Sequence, residues 1–293
     1  MSRRPPDPPP LHSSTLLVTG VSGYLGQAIA RHPARRQFTH TYGAYLSQPL
    51  PAAGWEVRQL DITDPAAVAQ LWDDVRPSCV IHTAANFRQP HALVDSITRG
   101  TRAVVDACTA HGARLLHLSS DMVFDGEHAP YRETAAVGPL TPYARAKVEA
   151  EELIRGSSLP SWVIVRTSLI TGLAPLDART QWVIDSVRDQ QPIVLFTDEF
   201  RCPVWVDDLA AALLELAGHD YCGVLHITGP QRLSRYALGV RICRWAGLDP
   251  ARITASTVAA SGLIRPRDCT LDITLAQHLL RTRLRSIDEG LEE

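Results

Sequence analysis

Thr15-Leu16-Leu17-Val18-Thr19-Gly20-Val21-Ser22-Gly23-Tyr24-Leu25-Gly26 decides the fold of this chain. Its first residues are apolar or β-branched and predict a short buried strand. Three glycines at a spacing of three follow, and then the helix-like run Gln27-Ala28-Ile29-Ala30-Arg31. A strand that ends in a tight glycine turn and opens a helix presents unpaired N–H groups at the positive end of a helix dipole. That is a seat for a pyrophosphate. Gly20 allows the turn, Gly23 the close backbone approach, and Gly26 the packing of helix on sheet. A glycine pattern alone is a weak signal, but here a strand precedes it and a helix follows.

Outward from that stretch, strands and helices alternate. Phe38 to Tyr45, Val57 to Asp61, Cys79 to His82, Arg114 to Ser119 and Trp162 to Arg166 read as strands. Asp64-Pro65 starts a helix that runs to about Val75, with proline in its first turn. Leu93 to His111, stopped by Gly112, and Tyr143 to Ile154 read as two more helices. Such alternation implies right-handed crossovers and a parallel, doubly wound α/β sheet. After Thr167 the rhythm loosens. Gln181 to Val187, Val206 to Ala217, Ser234 to Trp245 and Thr274 to Leu280 look helical, and Val224 to Ile227 looks like a strand. The expected organisation is a tail over 1–13, a dinucleotide-binding domain over 14–166, and a smaller α/β substrate lobe over 167–293, interleaved with it. That lobe would cover the carboxyl edge of the sheet, where open α/β sheets bind ligands.

Composition narrows the function class. Lys and Arg total 29 against 31 Asp and Glu, a net charge of -2, so nothing suggests a nucleic-acid surface. Six scattered cysteines (79, 108, 202, 222, 243 and 269) form no C-x-x-C pair or zinc spacing. This fits reduced thiols in a cytoplasmic protein. No apolar run reaches the length of a membrane span. Met1 to Pro10 carries two arginines and five prolines without an apolar core, and reads as a disordered tail rather than a secretory signal. His82, His117 and His226 lie in apolar strand contexts and read as hydrogen-bonded core residues, so no metal site is expected. Asp207 and Asp208 read as caps of the helix that follows them.

The chemistry lies in two further segments. Ser120 ends a buried strand, and Tyr143-Ala144-Arg145-Ala146-Lys147 opens a helix 23 residues later. Tyr and Lys four apart share a helix face. An ammonium beside a phenol lowers the phenol's pKa and lets it act as a general acid near neutral pH. A serine hydroxyl at the same point can hold a carbonyl. Together these groups suit protonation of a ketone oxygen while hydride arrives at its carbon.

In these motifs the chain resembles the extended short-chain dehydrogenases/reductases, and among them the dTDP-4-dehydrorhamnose reductases, over about Leu16 to Asp272. The resemblance implies a Rossmann fold and a nicotinamide cofactor, with catalytic roles for Ser120, Tyr143 and Lys147. It implies cofactor contacts at Gly20, Ser22, Gly23, Tyr24, Leu25 and Gly26 in the loop, and at Asp61 and Ile62 beside the adenine. Thr83, Ala84 and Ala85 would lie along the ribose and nicotinamide, with Tyr143 and Lys147. Arg166, Thr167 and Ser168 would pass the carboxamide. Substrate contacts are implied at Asp121 and Met122, and at Arg201 and Arg265, whose guanidinium forks suit diphosphate oxygens. Asp121-Met122 stands where the related dehydratases carry Asp-Glu, which argues against elimination chemistry.

Two positions depart from the family pattern. Ile97 stands where the relay asparagine is usual. The second strand ends in Tyr45-Leu46-Ser47 without the acid that would hold an NAD ribose. NADPH is therefore favoured, with Ser47 in reach of a 2′-phosphate, while NAD remains admissible. The substrate implied is a nucleotide-linked 4-keto-6-deoxysugar, and a homodimer is compatible with the resemblance. Two alternatives stay open. One is a non-catalytic subunit resembling the regulatory subunit of methionine adenosyltransferase. The other is a sugar-nucleotide epimerase with tightly held NAD.

Overall fold

The computed structural model describes residues 14–49, 54–87 and 89–292. The tail read over 1–13 lies outside the described residues. The first half alternates as β1 (Thr15–Thr19), α1 (Tyr24–Arg31), β2 (His40–Tyr45), β3 (Glu56–Gln59), α2 (Pro65–Val75), β4 (Cys79–His82) and α3 (Pro90–His111). It continues through β5 (Arg114–Ser120), α4 (Pro142–Arg155) and β6 (Trp162–Thr167). Later come α5 (Ala178–Arg188), α6 (Val206–Ala217), β7 (Gly223–His226) and α7 (Arg235–Trp245). The seven strands form one sheet in the order β7-β6-β5-β4-β1-β2-β3, every neighbouring pair parallel. The order reverses beside β1, at the switch point where a doubly wound sheet opens a crevice.

Side chains that alternate across the pleat explain the two cores. Leu16 and Val18 of β1 face α1 and α6, burying Ile29, Leu209 and Leu213. Leu17 between them faces α2 and α3, burying Trp72, Val104 and Cys108. A strand buried on both faces reads as a continuous apolar run. α6 and β7 follow Thr167 in sequence yet build onto the main sheet. The remaining lobe has its own core around Val183, Ile193, Leu238, Ile242 and Ile253. It is stitched by two short strand pairs, Ile193–Phe196 with Ile253–Ser256 and Phe200–Arg201 with Leu233–Ser234.

Three local readings change. α5 starts three residues before the predicted run because the Asp177 carboxylate caps it, accepting from the Arg179 and Thr180 amides at 3.0 Å each. Asp207 and Asp208 do not cap α6, whose N-cap residue is Trp205 with no side-chain acceptor. Asp208 instead takes the Arg285 guanidinium through Nε at 3.0 Å and Nη2 at 2.7 Å, tying the C-terminal segment to α6. The third concerns the histidines. His82 is hydrogen-bonded, to Thr19 Oγ1 at 2.7 Å and Thr101 Oγ1 at 3.2 Å. Among the described residues, His117 is buried with no partner for either ring nitrogen, and His226 has one for Nδ1 alone.

Candidate active site

The glycine loop has the shape a pyrophosphate needs. Gly20 sits at φ +74°, and a Cβ on Gly26 would fall 2.3 Å from the Gly20 carbonyl oxygen. Neither place tolerates a side chain. α1 begins at Tyr24 behind Gly23, and no side chain caps it, so its first-turn N–H groups face the crevice. These residues fit a dinucleotide's diphosphate. Around them several residues expected at the cofactor are held by hydrogen bonds within the protein. Thr83 Oγ1 donates to the Thr19 carbonyl at 2.8 Å, Thr167 Oγ1 to the Ile227 carbonyl at 2.8 Å, and Tyr24 Oη to the Pro175 carbonyl at 2.8 Å. Asp61 Oδ1 accepts from the Thr63 amide and hydroxyl, which holds the turn after β3. The Arg166 side chain is committed elsewhere. Its guanidinium is buried against Glu151 and its carbonyl accepts from the Ile227 amide at 3.0 Å, so this residue is spent on the fold.

Ser120 and the α4 residues meet at the carboxyl end of β5. Ser120 Oγ accepts from the Met122 amide at 3.2 Å and caps the short turn Asp121–Val123. Thr141 caps α4 by accepting from the Ala144 amide, with Pro142 in the first turn, so Tyr143 stands at the helix start beside β5. Burial pushes the Tyr143 phenol up to about 12, opposed by a hydrogen bond with Ser120 and reinforced by Asp121. Its ring rests on Ile97, Ala146 and Ala150, and Phe87 lies 5.9 Å away between ring centroids. Ile97 thus forms an apolar wall under the tyrosine.

Lys147 lies one turn on, buried, with Nζ donating to the Leu118 carbonyl at 2.7 Å. Burial pulls its ammonium down to about 8, and Glu151 opposes that pull. The expected lowering of the phenol by this lysine is therefore absent. Burial outweighs every attraction on Tyr143, and the phenol keeps its proton throughout the neutral range.

Asp121 connects this centre to the second lobe. Ser168 Oγ donates to its Oδ2 at 2.6 Å, and Arg201 Nε stands 3.6 Å from the same oxygen. Burial raises its pKa, against the pull of Arg201. Arg201 is itself buried, its guanidinium touching Met122 Sδ at 3.4 Å, the Pro266 carbonyl at 3.2 Å and Glu199 Oε1 at 3.3 Å. Arg265 donates to both oxygens of Glu199, at 2.8 and 2.9 Å. The fold thus brings Asp121, Met122, Arg201 and Arg265 to one cluster, reached from Ser120 through one peptide.

Sequence reading missed Glu151 and Glu199. Glu151 continues the Tyr143, Lys147 face of α4 by a further four residues, and that spacing was a usable signal. Glu199 offered none, because its partners come from distant segments.

The RmlD substrate binding domain model matches residues 14–293. The chain is 33% identical over 273 residues to a dTDP-4-dehydrorhamnose reductase of Streptomyces griseus, covering 87% of this chain and 84% of that one. It is 26% identical over 281 residues to methionine adenosyltransferase 2 subunit beta of Mus musculus, covering 91% and 83%. Its fold is that of a dTDP-4-dehydrorhamnose reductase of Bacillus anthracis solved with NADP, at TM-score 0.81, 22% identity, and 96% and 98% coverage. With its glycine loop, its Ser120–Tyr143–Lys147 centre and this match along almost its full length, the chain belongs to the RmlD substrate binding domain family.

Proposed function

We propose that this protein is an NADPH-dependent reductase of a nucleotide-linked 4-keto-6-deoxysugar, with Tyr143 as the proton donor. The observation that carries the reading is the meeting of Ser120 and Tyr143, 23 residues apart, at the sheet edge beside the glycine loop. When bound, the dinucleotide supplies a hydride to the carbonyl carbon. Ser120 Oγ donates to the carbonyl oxygen and holds it against the phenol. Tyr143 Oη passes its proton to that oxygen as negative charge develops there, so C=O becomes CH–OH and the phenol is left as phenolate. A phenol held near 12 by burial is fully protonated at neutral pH, as a donor must be. Lys147, one turn on along α4, serves the cofactor ribose rather than the phenol.

NADPH is favoured over NADH because no carboxylate stands among Tyr45, Leu46 and Ser47 to repel a 2′-phosphate. Intact Ser120, Tyr143 and Lys147 favour the reductase over a subunit that only binds. The test is NADPH oxidation by the purified protein with dTDP-4-dehydrorhamnose and related nucleotide keto-sugars. Turnover with at least one supports the reading. Absence of turnover with all of them, together with tight NADPH binding, contradicts it.

A further inference from the structure

The chain between Ser168 and Pro175 joins the two ends of the expected dinucleotide path. At one end Thr167 pairs with Ser120 across β6 and β5, and Ser168 Oγ donates to Asp121 Oδ2 at 2.6 Å. At the other end the Pro175 carbonyl accepts from Tyr24 Oη at 2.8 Å. Tyr24 is the first residue of α1, directly behind Gly23. A dinucleotide with its diphosphate on the glycine loop and its nicotinamide beside Ser120 and Tyr143 spans the same two points. Segment 168–175 therefore runs alongside the nicotinamide half of that path.

The far end of this segment is a turn closed on itself. The Asp177 amide donates to the Gly172 carbonyl at 3.2 Å. Asp177 Oδ2 accepts from the Gly172 amide at 3.3 Å and from Thr171 Oγ1 at 2.9 Å. Leu173 and Leu176 bridge across the turn and pack on the core around Val183 and Ile193, while Ala174 and Pro175 at its tip are exposed. Among the described residues, Leu173 to Leu176 make one hydrogen bond outside the turn, the one from Tyr24. The fit beneath that bond is close. A Cβ on Gly172 would lie 2.2 Å from Tyr24 Oη and 3.0 Å from Val206 Cγ1. Burial, with the charges of Asp177 and Asp207, holds the phenol above its ordinary pKa, so it donates and does not ionise.

We propose that the Gly172–Asp177 turn is a gate on the nicotinamide dinucleotide, latched by Tyr24 Oη, which limits how fast the cofactor enters and leaves. This goes beyond the reductase reading and rests on its cofactor alone, not on its sugar. The Tyr24 phenol is spent on another part of the protein and not on a ligand. Breaking its bond therefore eases entry and release alike, and both rates rise while affinity stays level. A side chain that touched the dinucleotide itself would change release and affinity together. Each turnover of a reductase must discharge the oxidised dinucleotide and admit the reduced one, and loop opening of this kind sets many turnover rates.

The experiment follows association and release of NADPH and NADH by stopped-flow fluorescence in wild type, Tyr24→Phe, Gly172→Ala and the double variant. It also records melting temperature without ligand. Loss of one exposed hydrogen bond predicts that association and release each become about 3- to 10-fold faster in Tyr24→Phe, with the dissociation constant unchanged. Gly172→Ala should act alike, because its methyl displaces the phenol. In the double variant that methyl meets no phenolic oxygen, so the rates should match Tyr24→Phe rather than multiply. Should Gly172→Ala fail to fold, Tyr24→Phe decides alone. Wild-type rates in Tyr24→Phe overturn the gate and leave the reductase reading intact, whatever its melting temperature. Faster release with unchanged association makes Tyr24 a direct cofactor contact and also overturns it. Effects that multiply in the double variant would separate Gly172 from Tyr24 and contradict the latch. Faster exchange in both directions, in a protein that reduces no keto-sugar, upholds the gate and contradicts the reductase reading. A wild type that binds neither dinucleotide overturns both.

Discussion

Glu151 grips Arg166 through two parallel bonds, Nε to Oε1 at 3.0 Å and Nη2 to Oε2 at 2.7 Å, with the side chains 0% and 1% exposed. The same carboxylate accepts from Ser119 Oγ at 2.6 Å and stands four residues after Lys147. It thereby joins β5, β6 and α4. Removing one partner of a sealed pair strands the other charge, which typically costs about 3–5 kcal/mol. Glu151→Gln should therefore lower stability by about that amount in a denaturant titration. Glu151→Met combined with Arg166→Leu should recover much of it. A double variant as unstable as the single one would mean that the pair is not the source of the loss.

His117 is a buried imidazole with neither nitrogen bonded to any of the described residues. An unsatisfied buried polar group costs about 1–3 kcal/mol, so His117→Leu, close in volume, should stabilise the fold. A rise of a few degrees in melting temperature is expected; a fall would show that the ring has a polar partner.

Burial also sets the acid limit of stability. It pulls His82 down to about 3 and His226 to about 4, and His117 well below its ordinary value of 6.5. Below pH 6.5 the unfolded chain takes up protons at these sites and the folded chain does not. Stability from this source is therefore complete above pH 6.5 and is lost as pH falls toward 4, at up to about 1.4 kcal/mol per pH unit for each histidine. Chemical denaturation from pH 7 to 4.5 measures the slope, and His117→Leu should reduce it. An unchanged slope in that variant would remove His117 from the account.

The cofactor preference turns on the end of β2. A carboxylate there would repel a 2′-phosphate, so Tyr45→Asp should shift the ratio of NADPH to NADH affinity toward NADH. Leu46→Asp, at a more exposed position, tests the same charge with less disturbance of packing. The ratio of the two dissociation constants is the readout, because a general loss of stability leaves it alone. A wild type that prefers NADH would contradict the reading of Tyr45 to Ser47.

Much of this architecture is legible from local pattern. The strand-glycine-helix stretch at Thr15 to Gly26 and the alternation after it suffice for the sheet, because each parallel strand buried on both faces is a continuous apolar run. Ser120, Tyr143 and Lys147 are legible because strand end and helix start fix them by short-range geometry. The charge network was not. Glu199 meets Arg265 across 66 residues, and Asp208 meets Arg285 across 77, with nothing in the local sequence to mark either pair. The expected effect of Lys147 on Tyr143 failed for a related reason. Spacing gives a shared helix face, but desolvation depends on what packs over it.

The central claim is that Tyr143 donates the proton. Tyr143→Phe keeps the ring on Ile97, Ala146 and Ala150 and removes the phenolic proton. Single-turnover reduction of a nucleotide keto-sugar by this variant, with NADPH affinity measured beside it, is the most direct test. The account predicts a fall of about 10²–10⁴ in the chemical step, the usual range for a positioned acid, with cofactor affinity unchanged. A Tyr143→Phe protein that reduces the same substrate at the wild-type rate would contradict it.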